Sequence, residues 1–416
     1  MRQVGIEDVS AYLGLACIKV DDVFLARGLD PARMANLMMA QKTVALPCED
    51  VVSYAVNAAR PLLRRLSGQT RDSIELLVVG TESGLDLSKA AATWIHGLLG
   101  LPRTCRLFEV KQACYAGVAA LQLAVAQMSA SGDENAKALV IGCDVPRLAC
   151  GTTAEPSQGA GAVAVLVGSA PVLAVAEPGA AGYCSFDVTD VRRPTAVDHI
   201  WDPDLSLMSY VECLKTSYAD YVRRRPGTDF LSSFDHLVFH TPFPGAVRGA
   251  HRSLLRSLGP ISPAAVSEDF TRRLEDSTRY PAHVGNAYAA TTLLALVSLL
   301  DHVKADSRER RIGVFSYGSG CSSEFCSYLL PAAYPRQPAD SGVAAMLDAR
   351  VTLDIDAYDE LALACDGLFA GVADYKPDLG VALRIAAAAG AGRDLLMLEG
   401  IEGHERHYIE ITGVPA

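Results

Sequence analysis

Phe108-Glu109-Val110-Lys111-Gln112-Ala113-Cys114-Tyr115-Ala116-Gly117 is the stretch on which the reading of the fold turns. An apolar, strand-like segment (Arg106 to Val110) ends here, a small-residue turn follows, and a helical pattern runs from Val118 to about Met128. Strand, tight turn and helix make one unit of an α/β fold. A thiol at that junction sits at the positive end of a helix, which favours thiolate, the nucleophile of acyl transfer.

The same rhythm extends both ways. Upstream, a strand and connection occupy Ile6 to Val20, and helices span Asp30-Pro31 to about Ala40 and Cys48 to Leu66. The strand Glu75 to Val79 leads into Thr81-Glu82-Ser83-Gly84, and a helix follows to Leu99. Downstream, Ala138 to Cys143 and Ala160 to Val167 read as buried strands. The second half repeats the pattern: strand His236 to His240, helix Val247 to Leu258, helix Ala289 to Leu300, strand Ile312 to Ser316. No low-complexity linker separates the halves, so the chain reads as one two-lobed α/β globule.

Composition narrows the function. The 416 residues are 50% hydrophobic, ample for a large core, and the net charge of -11 argues against nucleic-acid binding. Eleven scattered cysteines without a CxxC pair indicate neither a zinc site nor a disulfide framework. No signal-peptide pattern and no membrane-spanning run stands out, so a reduced, cytoplasmic protein is expected.

Chemistry-bearing residues recur at the strand ends, where open α/β sheets place ligands. They are Glu82, Cys114, His240, the Asn286 turn and the turn Ser316-Tyr317-Gly318-Ser319-Gly320. Taken singly, each has an ordinary structural reading as a core cysteine, a helix-start acid, a satisfied histidine or a tight turn. Together they supply a nucleophile, a base and an acid.

These runs, with Gln112-Ala113-Cys114-Tyr115, His240-Thr241-Pro242-Phe243 and His283-Val284-Gly285-Asn286-Ala287-Tyr288, resemble the thiolase-superfamily branch of the 3-hydroxy-3-methylglutaryl (HMG) synthases. Ala26-Arg27-Gly28-Leu29-Asp30 and Leu46-Pro47-Cys48-Glu49-Asp50 resemble its polyketide β-branching members, which act on acyl carrier proteins (ACPs). The resemblance implies a thiolase-like αβαβα fold of two similar halves with mixed sheets between helices. Residues 1–170 would hold Glu82 and Cys114, and residues 171–416 would hold His240, Asn286 and Ser316, with a tunnel-lining insertion at about 190–225. It also implies an acyltransferase that adds the carbanion of a Cys114-bound acyl group to a β-ketone.

In that scheme Cys114 carries the acyl group, Glu82 removes its α-proton and His240 serves the ketone oxygen. Asn286, Ser316, Gly318 and Tyr288 position substrate or oxyanion. Ser206, Tyr210, Tyr115 and Phe243 line the pantetheine tunnel. Arg27, Arg33 and Lys42 are candidates for contact with donor and acceptor ACPs. No permanently bound cofactor and no metal are implied; the substrates ride on phosphopantetheine or coenzyme A, and a homodimer is expected. Ala116 stands where the family commonly has Ser, which leaves room for a propionyl as well as an acetyl donor. Coenzyme-A-dependent synthesis of isoprenoid precursors, a decarboxylating ketoacyl synthase and an inactive scaffold are the alternatives. Glu82 argues against the decarboxylating enzyme, which needs no carboxylate base.

Overall fold

The computed structural model describes residues 3–195, 198–304, 306–332, 341–369, 373–389 and 394–411. Two quartets of strands with the same pairing pattern account for most of the sheet. In the first half, Gly5–Tyr12, Gly161–Gly168, Lys137–Asp144 and Ile74–Gly80 lie side by side, paired antiparallel, antiparallel, parallel. In the second, Ala174–Ser185, Ser322–Leu330, Arg310–Gly318 and His236–Phe239 repeat that sequence of pairings. A short antiparallel contact, Gly5 with Val175 and Ile6 with Ala174, joins the quartets. With Arg106–Val110 at the first-half edge they form one nine-stranded mixed sheet.

Strand alternation sorts side chains into layers. Leu77, Val79, Leu139, Ile141 and Ala164 face an outer core that includes the helices Val51–Arg65 and Ala91–Leu99. Their neighbours Leu76, Val78, Ala138, Val140 and Val165 face the opposite way, into a central core shared with Val238, Ile312 and Val314 of the second half. Two helices, Ala116–Ala130 and Thr291–His302, fill that centre. In the latter every residue from Thr291 to Asp301 is buried, as a helix packed between the two strand quartets requires. Beyond the second half, Leu237, Phe239, Phe315 and Phe325 pack on the helices Pro203–Arg224 and Pro244–Leu258. The order helix, quartet, helix, quartet, helix is the expected five-layer fold.

Several boundaries move. The helix expected to start at Cys48 begins at Val51, because Asp50 and Ser53 form a capping box. The Pro31 helix stops at Leu37, with Met38 in the left-handed region at φ 56°. The chain beyond residue 350 does not stay with the second half. Strand Val351–Thr352 pairs with Ala16 and Cys17, and Leu395, Leu396 and Met397 join the outer core of the first half. The 190–225 insertion contributes a full outer-layer helix, Pro203–Arg224, capped by the Asp202 side chain. Among the described residues one segment, Ala113–Ala130, is long and apolar enough to cross a membrane, contrary to the sequence reading; it is the central-layer helix.

Candidate active site

Cys114 lies at the end of the Arg106–Val110 strand, just ahead of the helix Ala116–Ala130. Ala113 before it is held at φ 45°, a left-handed conformation that costs an ordinary residue about 1 kcal/mol or more. That bend aims the thiol at Glu82, whose Oε2 accepts from Cys114 Sγ at 3.9 Å. The Asn286 side-chain amide and the Cys114 backbone N–H also hydrogen-bond the sulfur. The helix end does not win the electrostatic contest. Burial, then the charges of Glu82 and Asp144, push the thiol well above its usual value, so Cys114 rests protonated rather than as the expected thiolate.

Glu82 shares that dryness. Burial and the neighbouring Asp144 raise its carboxyl to about 7, against the pull of Arg193 and the Cys114 thiol. The loop that carries it is built around Asp144, which is fully buried at the end of its strand. Asp144 Oδ1 accepts from Thr81 Oγ1 at 2.9 Å, Glu82 N at 2.9 Å, Ser83 N at 2.8 Å and Ser83 Oγ at 2.7 Å. Its Oδ2 accepts from Ala289 N at 2.8 Å, tying the base loop to the start of the second central helix.

The second half supplies the other wall. The His240 backbone is fixed at both ends, its N–H donating to Phe315 O at 2.7 Å and its carbonyl accepting from Tyr210 OH at 2.7 Å. Burial lowers its ring to about 3, so His240 is a neutral imidazole, and its Nδ1 is buried without a partner among the described residues. Asn286 Oδ1 accepts from Tyr288 N at 2.9 Å and Thr291 Oγ1 at 3.1 Å, which turns its amide nitrogen toward Cys114. Tyr288 sits in the left-handed region at φ 49°, and its hydroxyl accepts from Gln158 Nε2 at 2.9 Å.

Ser316 is fully buried, its hydroxyl 3.2 Å from that of Thr292. Gly318 presses on the nucleophile turn: a Cβ there would fall 2.2 Å from Gln112 O and 2.9 Å from Tyr115 N. Only glycine lets the two turns meet so closely, and Gly318 acts by that approach. Asp190 braces the same turn, accepting from Tyr317 OH at 2.7 Å and Gly320 N at 3.0 Å.

Other sequence-predicted residues fall elsewhere. Tyr210 is 2% exposed, packs on Phe315 and Tyr317, and supports His240 from behind instead of lining an open tunnel. Tyr115 points its hydroxyl away to Glu324 at 2.7 Å. Phe243 packs with Phe24, Met34, Leu37 and Met39 beneath the helix Pro31–Leu37. Ser206 is partly exposed in the first turns of the helix Pro203–Arg224.

Lys42 is a correction. It is 0% exposed, donates to Glu155 O at 2.5 Å and Tyr358 OH at 3.0 Å, and is lowered by burial to about 8, so it cannot touch a partner. Arg27 is bound to Glu155 and Asp359. Arg33 alone of the three stands exposed and unclaimed by an ion pair among the described residues. Asp144, Asp190 and Arg193 were missed as site residues. Asp144 carried a signal, an acid closing the all-apolar run Ala138 to Cys143; the others depend on contacts remote in sequence.

Comparison with known proteins agrees with this arrangement. The N-terminal model of hydroxymethylglutaryl-coenzyme A synthase matches residues 1–171 and the C-terminal model residues 256–361. The polyketide-biosynthesis HMG-ACP synthase PksG of Bacillus subtilis is 42% identical over 87% of this chain and 88% of its own. The hydroxymethylglutaryl-CoA synthase of Enterococcus faecalis is 33% identical over 86% and 91%. The curacin-pathway HMG synthase, solved in complex with a holo donor-ACP, superposes with a TM-score of 0.94 at 41% identity, covering 99% of this chain and 100% of that one. The chain belongs to the hydroxymethylglutaryl-coenzyme A synthase family, as a thiolase-like condensing enzyme.

Proposed function

We propose that this enzyme performs polyketide β-branching, adding the carbanion of a Cys114-bound acetyl group to the β-ketone of a polyketide acyl-ACP. The contact between the Cys114 thiol and the raised Glu82 carboxyl carries the reading. Thioester exchange moves the acyl group from donor pantetheine to Cys114, and the thiol proton leaves on the departing pantetheine sulfur. Glu82 then removes an α-proton, a task for which a carboxylate raised toward neutrality is suited. The enolate oxygen is received by the N–H groups of Cys114 and Ser316. The enolate carbon bonds to the ketone carbon, neutral His240 stabilises the new alkoxide through its ring N–H, and the alkoxide ends as a hydroxyl carrying the proton that Glu82 had taken, which resets the base. Water hydrolyses the enzyme thioester, giving a carboxylate and the free thiol.

The relatives support the carrier, and an open sheet edge supports the assembly. The curacin synthase was solved with an acetyl donor-ACP, which favours acetyl over propionyl here. Arg33 is exposed on the helix Pro31–Leu37, which packs against the helix Pro244–Leu258, where Arg248 and Arg252 are also exposed. These three arginines replace Lys42 and Arg27 as the proposed patch for an acidic carrier; on a protein of charge -11 such a patch must be local. The Arg106–Val110 strand leaves one edge of the sheet unpaired among the described residues, which suits pairing with a second copy. A cytoplasmic homodimer is the proposed form. Competition between acetyl-ACP and acetyl-CoA for Cys114, followed by condensation with an acetoacetyl-ACP, tests the carrier. Preference for the ACP substrates is expected, and full-rate turnover of both free CoA thioesters would place the enzyme in isoprenoid metabolism instead.

A further inference from the structure

The mechanism leaves the arginine at the base unused. Arg193 lies on the segment between the short paired strands Val191–Arg192 and Ile200–Trp201. Its guanidinium donates to the Glu82 carbonyl and stands 4.0 Å from Glu82 Oε1. The same segment is anchored three residues earlier by Asp190 on Tyr317 and Gly320, and by Asp202 N donating to Asp190 O at 2.8 Å. Arg193 therefore reaches the base from a fixed support. Its side chain keeps 29% exposure, while that of Glu82 keeps 14%.

We propose that Arg193 is a positioning residue for condensation, gripping Glu82 by its carbonyl and facing its carboxylate so that the base stays ionised and aimed at Cys114. The proposal rests on the reading of Glu82 as the base. The groups facing Glu82 are Asp144, the Cys114 thiol, the Tyr288 hydroxyl and Arg193, with His199 near Arg193. Asp144 and burial oppose the charged form of Glu82, and Arg193 is the cation that offsets them. His199 is pushed below its usual value by burial and by Arg193, so it does not stand in as a second cation at neutral pH. Without Arg193, two acids would share a dry site and Glu82 would hold its proton to higher pH. A protonated carboxyl cannot take the α-proton.

The test measures acyl-Cys114 formation by intact mass and condensation rate against pH for Arg193→Gln, Arg193→Lys and Glu82→Gln. Arg193→Gln is expected to move the acidic limb of condensation upward by about one pH unit, which is about tenfold in rate below the limb. Acylation is expected to stay within about threefold, and the rate to recover at high pH. Arg193→Lys, which retains the charge, is expected to return the limb most of the way. An unmoved limb in Arg193→Gln, or a loss equal at every pH that Lys does not repair, would overturn the proposal. Glu82→Gln separates the two ideas: if it condenses at the wild-type rate, the base reading falls. If it is inactive while the Arg193→Gln limb stays put, only the role of Arg193 falls.

Discussion

Cys48–Glu49 and Cys114–Glu82 are buried cysteine–glutamate pairs in the first half of this enzyme, and only the second is built for chemistry. Cys48 and Glu49 are adjacent in sequence, and both are buried. Burial raises Glu49 to about 7, the same value as Glu82, and pushes the Cys48 thiol well above its usual range, as it does Cys114. Yet Glu49 spends its oxygens on Tyr12 OH at 2.5 Å and Leu46 N at 2.8 Å, and Cys48 turns to the Met397 sulfur at 3.5 Å. At Cys114 the thiol faces the carboxylate, an amide from the second half reaches the sulfur, and an arginine stands over the base. A raised proton affinity thus records burial in both places. The acceptor left open and the groups converging from two halves distinguish the site.

Substitution should separate the pairs, most sharply at the thiols. Cys114→Ala is expected to abolish the acyl adduct and all turnover, by intact mass and by product assay. Cys48→Ala is expected to keep both, and to lower unfolding free energy by about 1–2 kcal/mol through the small cavity it leaves. Next come the carboxyls. Glu82→Gln is expected to cut condensation by about 10³-fold, within the range of a lost general base. Glu49→Gln is expected to leave turnover within about threefold and to shift the melting temperature instead. His240→Gln should cost condensation about 10²-fold or more through lost alkoxide stabilisation, with acylation largely retained.

The pH dependence gives a smaller and more diagnostic contrast. Glu82 must be ionised to act, and its carboxyl is raised to about 7. Condensation should therefore rise with pH up to about 7 and level off above it, falling about tenfold per unit below. The Glu49 carboxyl, raised equally, should leave no trace in the rate. It should appear in stability: a folded-state value above the unfolded one gives stability that is complete below the unfolded value. That contribution is lost as pH rises through about 7. Glu49→Gln should flatten that part of the stability profile while leaving the rate profile in place.

Much of this was legible in the sequence because local chemistry was left in the open. The turns at Thr81 to Gly84, Cys114 and Ser316 to Gly320 interrupt apolar strands with residues that no core needs. Alternating strands and helices gave the layers, and Asp50 with Ser53 shows how a cap moves a helix start by a few residues. What stayed hidden depends on contacts between distant segments. Lys42 looked like a surface cation, but Tyr358 and Glu155 bury it. The thiolate expected from the helix end is outweighed by burial and then by carboxylates, neither of which sequence places around Cys114. Residues after 350 return to the first half through pairing with Ala16 and Cys17, a register no local pattern encodes.

The central claim is that Glu82 takes the α-proton from an acyl group already on Cys114. The most direct measurement is a single turnover of the Glu82→Gln enzyme, loaded with acetyl-ACP, given acetoacetyl-ACP, and followed by intact mass. The account predicts that acetyl-Cys114 forms and then persists in the presence of the acceptor. Disappearance of that adduct at the wild-type rate, with condensed product formed, would contradict it.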